Sequence, residues 1–121
     1  MAKILVVDDD ESMRALMRVH LSNAGHQVIL AEDAMQGGRL LLDSPPDLLV
    51  IDAQMPYLSG TDFVAALIAD ATAPSVPVLC ITAHEEYREQ FDKLDVSYLI
   101  KPFQVSALLA KVDEVLKGQQ G

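Results

Sequence analysis

A single cysteine, Cys80, among 121 residues leaves no internal disulfide to be made. Its place inside an apolar run marks it as a small buried hydrophobe of a reducing compartment rather than a catalytic thiol. Histidine is scarce too. His20, His26 and His84 lack the spacing of zinc ligands and have no second cysteine to join them, which disfavours transition-metal chemistry. No apolar stretch approaches the ~20 residues of a membrane span. The opening residues, a charged Lys3 and then a short apolar run closing on Asp8, Asp9 and Asp10, do not resemble a signal peptide. Basic residues are half as many as acidic ones, 9 against 18, for a net charge of -9. That balance repels nucleic-acid phosphates and anionic lipid, so neither nucleic acid nor membrane is expected as a partner, and with neither a signal-like start nor a span a cytoplasmic location is expected. Any metal drawn here is expected to be a hard cation. Repeats, low-complexity tracts and linkers are missing as well, so residues 1–121 are expected to form one domain, burying about two-thirds of the unfolded surface.

What is present is an alternation of two periods. Lys3 to Asp8 is a continuous apolar run ending in acids, the pattern of a strand buried on both faces of a parallel sheet. Met13, Leu16, Met17, Leu21 and Ala24 then recur at helical spacing, with an acid or Ser12 as N-cap and Gly25 as terminator. Gln27 to Ala31 reads as a strand, and Ala34 to Leu42 as a helix weakened by Gly37 and Gly38, at roughly 1 kcal/mol each. Asp47 to Asp52 is a third strand, followed by a loop with Pro56 and Gly60 and a helix over Thr61 to Ala71. Val78 to Ile81 is a fourth strand, His84 to Lys93 a short polar helix, and Tyr98 to Ile100 a brief fifth strand stopped by Pro102. Val105, Leu108, Leu109, Val112, Val115 and Leu116 build an amphipathic last helix. Five strands alternating with five helices predict an α/β fold, a single doubly wound five-stranded parallel sheet with right-handed crossovers.

In such a sheet ligands gather at the carboxyl ends of the strands, where the strand order reverses. Strand one ends in Asp8, Asp9 and Asp10, strand three in Asp52 and strand four in Thr82, while strand five runs into Lys101. Carboxylates within ~5 Å repel one another by roughly 3 kcal/mol per pair at an effective dielectric of about 20, and so need a compensating cation. Mg2+ suits them, being content with one or two carboxylates, a carbonyl, waters and a phosphoryl oxygen. An aspartate beside such a cation is a competent nucleophile toward phosphorus when a lysine helps neutralise the transferring group. Asp52 is placed to attack, the acids of strand one to hold the metal, and Lys101 and the Thr82 hydroxyl to engage phosphoryl oxygens.

At these residues the chain resembles the receiver domains of two-component response regulators, over essentially its whole length. The resemblance lies in Ile4-Leu5-Val6-Val7-Asp8-Asp9-Asp10, Asp52-Ala53-Gln54-Met55-Pro56 with Gly60, Ile81-Thr82-Ala83, and Tyr98-Leu99-Ile100-Lys101-Pro102-Phe103. It implies the flavodoxin-like, CheY-like receiver fold, with Mg2+ or Mn2+ as cofactor and phosphoryl transfer from phosphohistidine to Asp52. Asp9 matches the direct metal ligand, Asp8 its partner, and the Gln54 main-chain carbonyl a third protein ligand. Thr82 matches the switch hydroxyl, Tyr98 the aromatic that moves with it, and Lys101 the phosphate-binding lysine. The Lys101-Pro102 bond is cis in such domains, a state within easy reach only before proline. Gln54 and His84 stand two residues beyond Asp52 and Thr82, where side chains tune phosphate lifetime. From Thr82 to Lys101 the chain is about one helical turn shorter than is usual, so the fourth helix is expected to be truncated or irregular.

The resemblance further implies a histidine kinase or histidine phosphotransfer protein as donor, a downstream protein as target, and a monomer or weak phosphorylation-dependent dimer. Its only catalysis is expected to be that of its own aspartate's phosphorylation and dephosphorylation. There is no DNA-binding segment, and a stand-alone regulator is expected. Simpler roles stand beside these. Asp10 is read as a helix cap, Met13 and Met17 as core, and His20 as packing or surface. Two rivals are kept: a degenerate receiver that only binds a partner, and a haloacid-dehalogenase-like phosphatase using Asp8 as nucleophile.

Overall fold

A computed structural model describes residues 2–54, 60–70, 72–83, 88–94 and 96–118. Along the chain run β1 (Lys3–Val7), α1 (Glu11–Asn23), β2 (Gln27–Ala31), α2 (Ala34–Asp43) and β3 (Leu48–Asp52). Then come α3 (Gly60–Ala69), β4 (Val78–Thr82), α4 (Arg88–Leu94), β5 (Ser97–Ile100) and α5 (Val105–Gly118). The strands form one sheet in the order β2-β1-β3-β4-β5, and every pairing is parallel. The expected doubly wound sheet is therefore present, with its order reversing between β1 and β3.

Two cores explain why the strands read as unbroken apolar runs. Side chains alternate between the faces of a strand. Leu5, Val7, Leu49, Ile51 and Cys80 face Leu41 of α2, Val64 of α3 and Phe91 of α4. Their neighbours Ile4, Val6, Leu48, Val50, Leu79 and Ile81 face Met17 and Leu21 of α1 and Leu108 and Val112 of α5. A sheet covered on both sides has no polar face to reveal a period of two.

Acids fix the starts of α1 and α2. The Asp10 side chain accepts from the Ser12 N–H at 2.9 Å and caps α1, as expected of it. Asp33 caps α2 by accepting from the Gln36 N–H at 2.8 Å, while Gln36 Oε1 accepts from the Glu32 N–H at 2.9 Å, much like a capping box. Gly25, with φ of 96°, turns the chain from α1 toward β2. Boundaries shift slightly from expectation: β4 reaches Thr82, β5 begins at Ser97, α3 begins at Gly60, and Ala71 lies outside the described residues. Among the described residues the fourth helix spans seven, Arg88–Leu94, within the shortened stretch between Thr82 and Lys101.

The glycine pair in α2 has a sharper cause than weak propensity. A Cβ on Gly37 would lie 2.6 Å from Cγ2 of the buried Val7, whereas one on Gly38 would meet Phe63 at an ordinary 3.5 Å. Gly37 therefore lets α2 approach β1. Gly38→Ala is expected to stabilise the fold by about 0.5–1 kcal/mol through helix propensity. Gly37→Ala is expected to lose about 1–3 kcal/mol, because overpacking outweighs the same propensity gain. Urea midpoints of the two variants should move in opposite directions; a shared direction would contradict the close approach.

Candidate functional site

Strand register assembles the polar strand ends. Val7 pairs with Ile51, so the next residues, Asp8 and Asp52, emerge side by side at the edge where the order reverses. Asp52 pairs with Ile81 and Thr82 with Ile100, which brings Thr82 and Lys101 to the same edge. The Lys101 N–H donates to the Thr82 carbonyl at 2.7 Å, extending the ladder by one residue. Carboxylate oxygens of Asp8, Asp9 and Asp52 all lie within 4.8 Å of one another. Lys101 Nζ is 3.6 Å from Asp52 Oδ2.

Each buried acid is oriented by its own loop. Asp8 Oδ1 accepts from the Asp10 N–H and Asp52 Oδ1 from the Gln54 N–H, both at 2.9 Å. Asp8 is 2% exposed and Asp52 8%, while Asp9 lies open to solvent. Burial pushes the Asp8 carboxyl up to about 6, with the charges of Asp52 and Asp9 adding to the rise. The Asp10 N–H and the Lys101 ammonium pull the other way. A hard oxygen donor set carrying excess negative charge, partly removed from water, fits a divalent cation such as Mg2+. Burial, with the Asp52 charge second, also drives the Cys80 thiol up to about 12, leaving it protonated and unreactive at neutral pH.

That upward shift has a measurable sign. Native Asp8 holds its proton to higher pH than the unfolded chain does. Its ionisation therefore destabilises the cation-free fold above pH 6, a cost relieved as pH falls from there toward the unfolded value of 3.8. In chelator, Asp8→Asn should raise stability by about 1–2 kcal/mol at neutral pH after allowance for solvent screening, with the gain fading near pH 4. Thermal melts across that range check it; a variant less stable than wild type at neutral pH would show that the burial cost is met some other way.

The remaining candidates divide. Thr82 is fully buried at the end of β4. Tyr98 is in register with Cys80 and stacked on Phe91 with ring centres 5.3 Å apart and planes 27° from parallel. Thr82 and Tyr98 share one face of the sheet, since Thr82 is two residues beyond Cys80. Gln54 lies exposed beside the cluster, the Lys101-Pro102 bond is cis, and His84 falls outside the described residues. Sequence reasoning overlooked two contacts. Arg14 Nη1 donates to the Asp8 carbonyl at 2.7 Å, and Phe91 reaches Tyr98 from α4. An arginine four residues after a run of acids was the available signal for the first; nothing local announces the second.

The family model "Response regulator receiver domain" matches residues 4–113. The chain belongs to this family. This receiver domain is 36% identical over 118 residues to the response regulator MprA of Mycobacterium sp. (strain KMS), an alignment covering 95% of this chain and 50% of that protein. Against the DNA-binding dual master transcriptional regulator RpaA of Synechocystis it is 33% identical over 120 residues, 97% of this chain and 50% of RpaA. The receiver thus spans about half the length of the curated relatives it matches. Among solved structures, the Vibrio cholerae chemotaxis protein CheY4 has a TM-score of 0.85 at 29% identity, covering 95% of this chain and 98% of that one. The receiver domain of the Francisella response regulator 1452 has a TM-score of 0.89 at 27% identity, with 98% and 99% covered. These likenesses place the domain in two-component signalling and favour neither the phosphatase nor the binding-only reading. No helix among the described residues is long and apolar enough to cross a membrane.

Proposed function

We propose that the domain takes a phosphoryl group onto Asp52 from a phosphohistidine and passes the event on as a change of shape. The observation that carries this reading is the meeting of Asp8, Asp9 and Asp52 within 4.8 Å, with Lys101 against Asp52. An Asp52 oxygen attacks phosphorus, the P–N bond to the donor imidazole breaks, and the imidazole leaves neutral after gaining a proton. Asp8, Asp9, Asp52 and the Gln54 main-chain carbonyl hold Mg2+ or Mn2+, which when bound supplies positive charge against the phosphoryl oxygens. Lys101, just past the end of β5, balances further charge. The phosphoryl group carries about 1.5–2 negative charges where the carboxylate carried one, and brings three acceptor oxygens, to which the Thr82 hydroxyl and Lys101 donate. Movement of Thr82 is relayed to Tyr98 on the same sheet face, and so to the partner-binding surface. Water later hydrolyses the phosphate, at a rate tuned by the Gln54 and His84 side chains.

The donor is a histidine kinase or histidine phosphotransfer protein, the target a downstream protein, and the setting the cytoplasm. Residues 1–121 act as one receiver unit, a monomer or weak phosphorylation-dependent dimer. The domain catalyses only its own loading and clearing. Intact mass after incubation with acetyl phosphate or phosphoramidate tests the reading: one phosphoryl adduct is expected with Mg2+ and none in chelator. Absence of an adduct under every condition would leave only a protein-binding role.

A further inference from the structure

Asp8 is held at three points. Its N–H donates to the Ala31 carbonyl at 3.1 Å, its Oδ1 accepts from the Asp10 N–H at 2.9 Å, and its carbonyl accepts from Arg14 Nη1 at 2.7 Å. The first two bonds come from neighbouring backbone. The third brings a half-buried guanidinium from the first turn of α1 to the peptide joining Asp8 to Asp9. A peptide unit is planar, so fixing the direction of its carbonyl also fixes the bond leading to the Asp9 Cα. Asp9 is the exposed member of the carboxylate trio, without the burial that constrains the other two.

We propose that Arg14 is a positioning residue: by gripping the Asp8 carbonyl it aims the Asp9 carboxylate into the cluster and raises the site's affinity for a divalent cation. This rests on the cation reading of the site and extends it to a residue outside the carboxylates. The sign of the effect is decisive. As a plain positive charge, Arg14 opposes an arriving cation, and its removal should tighten binding. As a planar donor holding a peptide in place, Arg14 keeps a ligand aimed, and its removal should loosen that ligand and weaken binding.

The test is calorimetric titration of Mg2+ into wild type, Arg14→Lys and Arg14→Met, with amide hydrogen exchange of the metal-free proteins. Affinity is expected to fall about 10-fold in Arg14→Met, the scale typical of residues that orient metal ligands. A smaller loss is expected in Arg14→Lys, which keeps the charge and one donor but not the planar guanidinium, and which decides the matter alone if Arg14→Met does not fold. Exchange at the Asp10 amide should accelerate while β3 stays protected. Tighter Mg2+ binding in Arg14→Met overturns the proposal, as does an unchanged affinity accompanied only by a lower melting point. Wild type that takes up no Mg2+ defeats the cation reading and this inference together; wild-type binding that both variants match defeats the inference alone.

Discussion

Asp52→Asn should emerge from Mg2+ and acetyl phosphate without a phosphoryl adduct, its loading reduced by more than about 100-fold against wild type. The amide has nearly the shape of the carboxylate, but its oxygen carries no anionic charge with which to attack phosphorus. The fold should survive, because the substitution removes a charge that pushes the Asp8 carboxyl upward and leaves an oxygen for the Gln54 N–H. A normal melting point would therefore accompany lost chemistry, separating a missing nucleophile from a damaged domain. Asp8→Asn sharpens the comparison. It is expected to weaken Mg2+-dependent loading without removing the acceptor. An adduct retained in Asp52→Asn and lost in Asp8→Asn would instead put the nucleophile on β1, as in a haloacid-dehalogenase-like phosphatase.

The largest effect on stability is expected from Phe91→Ala. Phe91 is fully buried among the residues facing α2, α3 and α4. Truncating a buried phenylalanine costs about 3–5 kcal/mol through lost transfer energy and the cavity left behind. Its stacking on Tyr98 adds about 0.5–1.5 kcal/mol. The seven described residues of α4 are far below the ~12–15 at which isolated helices become even marginally stable, so they depend on such packing. A fall in melting point of roughly 12–25 °C is expected, with a much smaller one for Phe91→Leu. A loss under about 1 kcal/mol would mean that the site collapses around the gap and that α4 is anchored elsewhere. A double-mutant cycle with Tyr98→Ala isolates the ring contact from the cavity.

The sheet and the strand-end residues were legible in the sequence for one physical reason. Doubly buried parallel strands appear as short aliphatic blocks, and a polar residue terminating such a block must sit at an end of the sheet, as Asp8, Asp52 and Thr82 do. Register then places them together without any long-range information. What escaped the sequence depends on distances between elements. The requirement for glycine at position 37 arises from how close α2 comes to Val7, which no propensity scale records. Phe91 and Tyr98 are seven residues apart and lie on different elements, so neither helical nor strand periodicity pairs them. The bond from Arg14 to Asp8 crosses the loop between β1 and α1, and helical periodicity does not show which way the Arg14 side chain turns.

The alternation of β3 between two cores makes the acceptor's location a question of odd and even. Leu48 and Val50 face one core, Leu49 and Ile51 the other, and all four are aliphatics of similar size. A one-residue slip of the whole strand would exchange aliphatics between the cores but drive Asp47 or Asp52 into the place of the fully buried Leu48 or Ile51, whereas one added aliphatic residue keeps both acids out of the core. The same slip would carry Asp52 away from Asp8 and Lys101. An aliphatic residue inserted in β3 would also displace Asp52, so it should cost signalling more than folding, and the acceptor is closed to gradual migration along the chain.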